Sequence, residues 1–272
     1  MEKSGSTETT SISSVESFKK TFSKFELSQF LSCFNVKSFY GKVNPEYLIE
    51  KQSKMTQKSR AFLINWMLLI HQKFCLQTQT IFTAINIFDA YCSKISVLFE
   101  QFQLLALTAL FSAAKFEEVK PPKLTKFLTI AENQFSACEV INFEAEVMTE
   151  IGFKVSSDSP FQLLEIMAEF SGMSHFLLKT ALGFLISSCF DLRMYYFGIE
   201  EIVESSILLA KRIDKCSRVF VDHETDFGSK FSLNFCLAGE KNSMCMKNMS
   251  LIVMNLERAG LFAIRKAFSG SR

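Results

Sequence analysis

The chain has 272 residues, 48% of them apolar and 30 of them Phe. That is enough for one large domain or two of roughly 130 residues, each with a sizeable core. A net charge of +2 gives no electrostatic case for nucleic acid or a membrane surface, and 10 Gly with 4 Pro argue against a turn-rich β protein. The eight cysteines form no C-x-x-C pair, and most fall in apolar helical stretches. They read as reduced core thiols of an intracellular protein rather than disulfides or zinc ligands. The opening MEKSGSTETT has no apolar stretch, so no signal peptide is expected. No apolar run reaches the roughly 18 residues of a membrane span, and the expectation is a soluble protein of the cell interior.

Residues 1–22 are rich in Ser, Thr, Glu and Lys and are expected to form a disordered tail. An amphipathic helix is expected over Phe22 to Phe34, with apolar residues at Phe22, Phe25, Leu27, Phe30, Leu31 and Phe34. Residues 41–58 read as a connecting arm. Five helices follow. Ser59 to Phe74 places Phe62, Leu63, Trp66, Met67, Ile70 and Phe74 on one stripe, and Thr78 to Cys92 repeats the pattern with Ile81, Phe82, Ile85, Phe88 and Tyr91. The third, about 101–118, is apolar on nearly all sides from Leu104 to Ala114, the mark of a helix surrounded by others. It must stop near Val119, because Lys120 precedes Pro121 and Pro122. A short fourth helix spans about 123–131. The fifth opens with a capping box, Ser136 to Glu139, and runs to about Ile151 before Gly152.

A second start follows at Ser159-Pro160, with Ser as cap and Pro at the first helical position. Helices are expected over about 160–171, 174–190 and 199–213, then a polar loop over 214–230. Further helices are expected over 228–268, interrupted by Gly239 and Gly260. The stretch Glu204 to Asp214 echoes Thr108 to Glu118 at an offset of 96 residues, a weak internal repeat.

Catalysis finds no constellation here. His71, His175 and His223 are far apart, without ligand spacing for a metal, and no Gly-rich phosphate loop or G-x-S-x-G occurs. No catalytic residue, metal or cofactor is expected. Asp89, alone on an apolar helix face, needs a cation, and Arg60 is the candidate partner. Lys115 has an ordinary reading as a side chain snorkelling past the end of a buried helix, and Glu144 as a surface residue. Together with Phe116 and Phe153 they would frame an exposed apolar patch with charges at its rim, the anatomy of a protein interface.

The motifs RAFLINW (60–66), LQTQT (76–80), AAKFEE (113–118) and Pro121-Pro122, with Asn44 to Tyr47 and Glu50 to Gln52 ahead of them, resemble the cyclin box of A- and B-type (mitotic) cyclins. The likeness covers about 25–155, is weaker over 159–213, and fades beyond. It implies an all-α protein of two tandem five-helix cyclin-box folds with an N-terminal helix. The divisions would be a tail at 1–22, helix and arm at 23–58, the first box at 59–155 and a divergent second fold at 156–272. It also implies a non-catalytic regulator, present in nucleus and cytoplasm, that binds and activates a cyclin-dependent protein kinase in cell division. Substrates or inhibitors of that kinase are further candidate partners, and no nucleic acid or membrane is expected. The alternative is a cyclin-fold adaptor that binds another protein without activating a kinase.

Carried over by position, Lys115 and Glu144 fall where the family's kinase-contacting Lys and Glu stand, with Phe116, Met148, Phe153 and Val155 as apolar contacts. Arg60 and Asp89 match an internal salt bridge. Leu63, Trp66 and Gln103 match a substrate-docking groove. Around that groove Ser59, Leu69 and Phe99 stand where Met, an acid and a base are usual, which argues against recruitment through an R-x-L motif.

Overall fold

The structure, a computed structural model, describes residues 43–155, 159–219 and 240–259. The expected tail and the helix over 22–34 lie outside the described residues. Among those described there is no strand. The helices are α1 (Tyr47–Glu50), α2 (Gln57–Lys73), α3 (Thr78–Cys92), α4 (Phe102–Glu117), α5 (Leu124–Ile130) and α6 (Ala137–Glu150). They are followed by α7 (Pro160–Phe170), α8 (His175–Ser188), α9 (Ile199–Val219) and α10 (Glu240–Arg258). Short 3-10 helices lie at Phe99–Gln101 and Leu192–Tyr196.

Helix α4 is the hub of the first five-helix group, α2 to α6, and α2, α3, α5 and α6 all pack against it. Every residue from Leu104 to Ala114 is buried. Ala106, Ala109, Ala113 and Ala114 have no accessible surface, so the neighbouring helices approach the α4 backbone closely. The larger side chains Leu105, Leu107 and Leu110 are also without accessible surface, and burying each contributes about 1.5–3 kcal/mol. The helix stops at Glu117, and Glu118 turns extended two residues ahead of the Lys120-Pro121 peptide.

The ends of the other helices follow from local chemistry. In α2 the Thr56 side chain accepts from Ser59 N, so the helix begins at Gln57, two residues earlier than its apolar stripe. In α6 the Ser136–Glu139 capping box is formed in both directions. Its other end is a Schellman turn: Gly152 N donates to Thr149 O and Phe153 N to Met148 O. Ser159 caps α7 with Pro160 in the first turn.

Two expectations are corrected. The arm at 41–58 contains α1, and Tyr47 on it is fully buried. Residues 214–219, read as loop, continue helix α9 to Val219, because no Gly or Pro interrupts the chain there and α9 is amphipathic. In a second group α9 packs on α7, α8 and α10, as α4 does among its own neighbours. The echo at offset 96 keeps its burial pattern at the key positions: Ala114 and Ala210 are fully buried, and Lys115 and Lys211 are exposed.

Candidate protein-binding face

Helix α4 emerges from the core at its last turn, where Lys115 and Phe116 follow the fully buried Ala114. Glu144 stands on α6 facing that turn. Its Oε2 accepts from Lys115 Nζ at 2.5 Å and its Oε1 from Ser112 Oγ at 2.5 Å. The Lys115 ammonium also lies 4.7 Å from the centroid of the Phe111 ring, a cation–π contact. The side chains are 44% and 14% exposed, so the ion pair itself stabilises the fold by only about 0.2–1 kcal/mol. Next to each partner the chain is apolar. Phe116 is 55% exposed and Val119 89% on the α4 side. Beyond Glu144, Met148 and Val155 are half-buried and Phe153 is 72% exposed.

The two acids that end α4 point elsewhere. Carboxylates at a helix C-terminus oppose its dipole, yet Glu118 Oε1 accepts from Gln77 N at 2.7 Å and from Thr80 Oγ1 at 2.6 Å. Glu117 Oε1 accepts from Thr83 Oγ1 at 2.6 Å. Gln77 is the N-cap residue of α3 and its own side chain caps nothing. Glu118 thus takes up the free N–H of Gln77 at the positive end of the neighbouring helix, while Glu117 holds the Thr83 hydroxyl further along α3.

Arg60 and Asp89 meet in the interior, both without accessible surface. Arg60 Nε and Nη2 donate to the two carboxylate oxygens at 2.8 and 2.6 Å. Two residues missed by the sequence reading complete the node. Tyr47 OH donates to Asp89 Oδ1 at 2.8 Å and Tyr195 OH to Oδ2 at 2.5 Å. Arg60 Nη1 reaches Cys189 O at 2.9 Å, and its guanidinium lies over the Tyr195 ring. Burial first, and then the Asp89 charge, push the Tyr47 phenol well above its ordinary range, so it keeps the proton it donates. Gln52, also missed, donates to Cys92 O and Ile95 O and accepts from Val97 N, pinning the chain that leaves α3. The sequence hint is that Tyr47 and Gln52 end the stretches Asn44 to Tyr47 and Glu50 to Gln52, which carry part of the resemblance.

Leu63, Trp66 and Gln103 are all half-buried, on α2 and α4, while Phe62, Leu69 and Phe99 in the same stretches are exposed. Among the described residues no group of three His, Cys, Asp or Glu is placed to hold a metal, and no helix is long and apolar enough to cross a membrane.

Residues 30–156 match the model of the cyclin N-terminal domain. This segment is thus a cyclin N-terminal domain. Among curated relatives it is similar to a G2/mitotic-specific cyclin-B of Dictyostelium discoideum, 23% identical over 246 residues, covering 90% of this chain and 55% of that one. The G2/mitotic-specific cyclin cig2 of Schizosaccharomyces pombe is 29% identical over 172 residues, 62% of this chain and 41% of that one. The G2/mitotic-specific cyclin-3 of Saccharomyces cerevisiae is 31% identical over 153 residues, 56% of this chain and 36% of that one. The matched cyclin chain thus spans about half or less of these relatives' length. Among solved structures a viral cyclin from herpesvirus saimiri superposes with a TM-score of 0.62 at 16% identity, covering 86% of this chain and 97% of that one. That likeness shows the fold: an all-helical cyclin fold.

Proposed function

We propose that this cyclin is the non-catalytic regulatory subunit of a cyclin-dependent Ser/Thr protein kinase, and that it binds and activates that kinase in cell-cycle control. The relatives named above are cell-cycle cyclins, which supports the class of partner. The observation that carries the reading is the Lys115–Glu144 pair at the surface, 2.5 Å apart and bordered by exposed Phe116, Val119 and Phe153. An ammonium and a carboxylate held side by side offer a donor and an acceptor to the free backbone groups of a partner segment. The apolar residues supply the area that water leaves on binding.

Activation follows if the surface accepts only one position of the kinase's αC helix, the one in which its glutamate pairs with the β3 lysine. Moving that equilibrium from 1:99 to 99:1 needs about 5.5 kcal/mol of preference, which an interface of ordinary size supplies. Charged groups that bond a partner at a desolvated centre cost about 2–5 kcal/mol when truncated. Lys115→Ala and Glu144→Ala are therefore expected to weaken kinase binding by about thirtyfold or more, and to remove activation, while circular dichroism stays unchanged. Co-purification and phosphorylation of a Ser/Thr peptide measure the two effects. A kinase that binds at wild-type strength after both changes refutes this assignment, and a bound kinase left at its free activity favours the adaptor.

A further inference from the structure

The strand of chain that continues from the platform carries a charge pattern the fold does not use. Lys120, Lys123 and Lys126 are all exposed within seven residues, running from the end of α4 across Pro121-Pro122 into the first turn of α5. Among the described residues none of the three forms an ion pair. Their placement is locally unfavourable: three like charges fall within seven residues of chain, and two of them, Lys123 and Lys126, sit at the positive end of α5. The acids that might have neutralised them, Glu117 and Glu118, are turned onto Thr83, Thr80 and Gln77 of α3. Glu144 is held by Lys115 and Ser112, and Glu139 caps its own helix through Ser136. The edge of the platform beyond Phe116 and Val119 thus presents three exposed ammonium groups that no carboxylate pairs among the described residues.

We infer that this edge takes an acidic stretch of the partner, so that the kinase bound by this cyclin carries Asp or Glu side chains beside the apolar groove that receives Phe116. The inference rests on the proposed kinase reading and adds the charge of the partner's face. The lysines lie at the solvent-exposed rim, where charge governs the encounter rate and its salt dependence more than the residence time.

The test uses the full chain and the kinase recovered with it from the native cell, followed by stopped-flow or surface-based association kinetics. The variant K120E/K123E/K126E is expected to associate about tenfold more slowly than wild type at low ionic strength. Dissociation should be little changed, and the two association rates should converge as salt is raised. K54E/K211E/K247E alters net charge by the same amount at exposed positions elsewhere and is expected to keep most of the wild-type rate. Equal rates for wild type and K120E/K123E/K126E overturn the inference and leave the kinase reading standing. So does equal slowing by both triple variants, which would mean that net charge alone acts. Failure of the wild-type chain to recover any kinase overturns the kinase reading itself, and the inference with it.

Discussion

Arg60 and Asp89 lie where stripping water from either charge is costly, and only a filled set of hydrogen bonds makes such a pair tolerable. Asp89 accepts from Arg60 twice, from Tyr47 and from Tyr195, so both carboxylate oxygens are fully used. Removing one partner leaves the other charge buried and unmatched. Arg60→Met and Asp89→Leu are each expected to lower the unfolding free energy by about 3–5 kcal/mol. The double variant should lose less than the sum, by a coupling of about 0.5–3 kcal/mol. Urea unfolding of the four proteins measures this, and strict additivity would contradict the ion-pair account. The Arg60–Asp89 pairing was legible in the sequence because a carboxylate on an apolar helix face has few other destinies. Tyr47 and Tyr195 were not, since a phenol is equally content in water, and they stand 42 and 106 residues from their acceptor.

Helices were legible where the signal is local: the apolar stripes, the Ser136–Glu139 box, the Ser159-Pro160 start and the stop before Pro121. The joints between helices were less so, because their partners come from elsewhere in the chain. The turn from α2 to α3 is the clearest case. His71, at the end of α2, bonds Gln77 O through Nε2 at 2.8 Å. A carbonyl only accepts, so Nε2 carries the proton, and the buried Nδ1 keeps a lone pair with no partner. Burial lowers the His71 pKa below its ordinary value of about 6.5, although the Gln77 bond and the Glu118 charge oppose the shift. The unfolded chain therefore takes up this proton at a higher pH than the folded one does. The stability tied to neutral His71 is present above about pH 6.5 and is lost as the pH falls through the lower folded value. Replacing His71 by Gln is expected to flatten the dependence of the urea midpoint on pH between about 7 and 5. An equally steep dependence in that variant would place the titrating group elsewhere.

Across the molecule, the two helical groups are tied by more than the linker between α6 and α7. Arg60 reaches Cys189 O, Tyr195 reaches Asp89, Gln57 Nε2 donates to Phe190 O at 2.6 Å, Ser159 bonds Gln79, and the rings of Phe82 and Phe161 stack. A single cooperative unfolding transition is expected, with amides of α4 and α8 exchanging at the same opening free energy. Tyr195→Phe should lower both together. Two separate transitions in calorimetry would mean that these bonds do not couple the groups. The internal echo made a second helical group legible, yet nothing in either copy signals the contacts between them, because they fall on residues the two copies do not share. Phe153 sits at a backbone φ of 53°, directly after Gly152 at 67°, in a region where glycine is at ease and a large aromatic residue is not. A glycine in its place would relax the turn and firm up the fold, but it would delete the most outward ring of the platform. Under the proposed function, thermodynamic optimisation and recognition pull in opposite directions at this one position, and a campaign that selects variants for heat tolerance alone is expected to erode kinase binding there first.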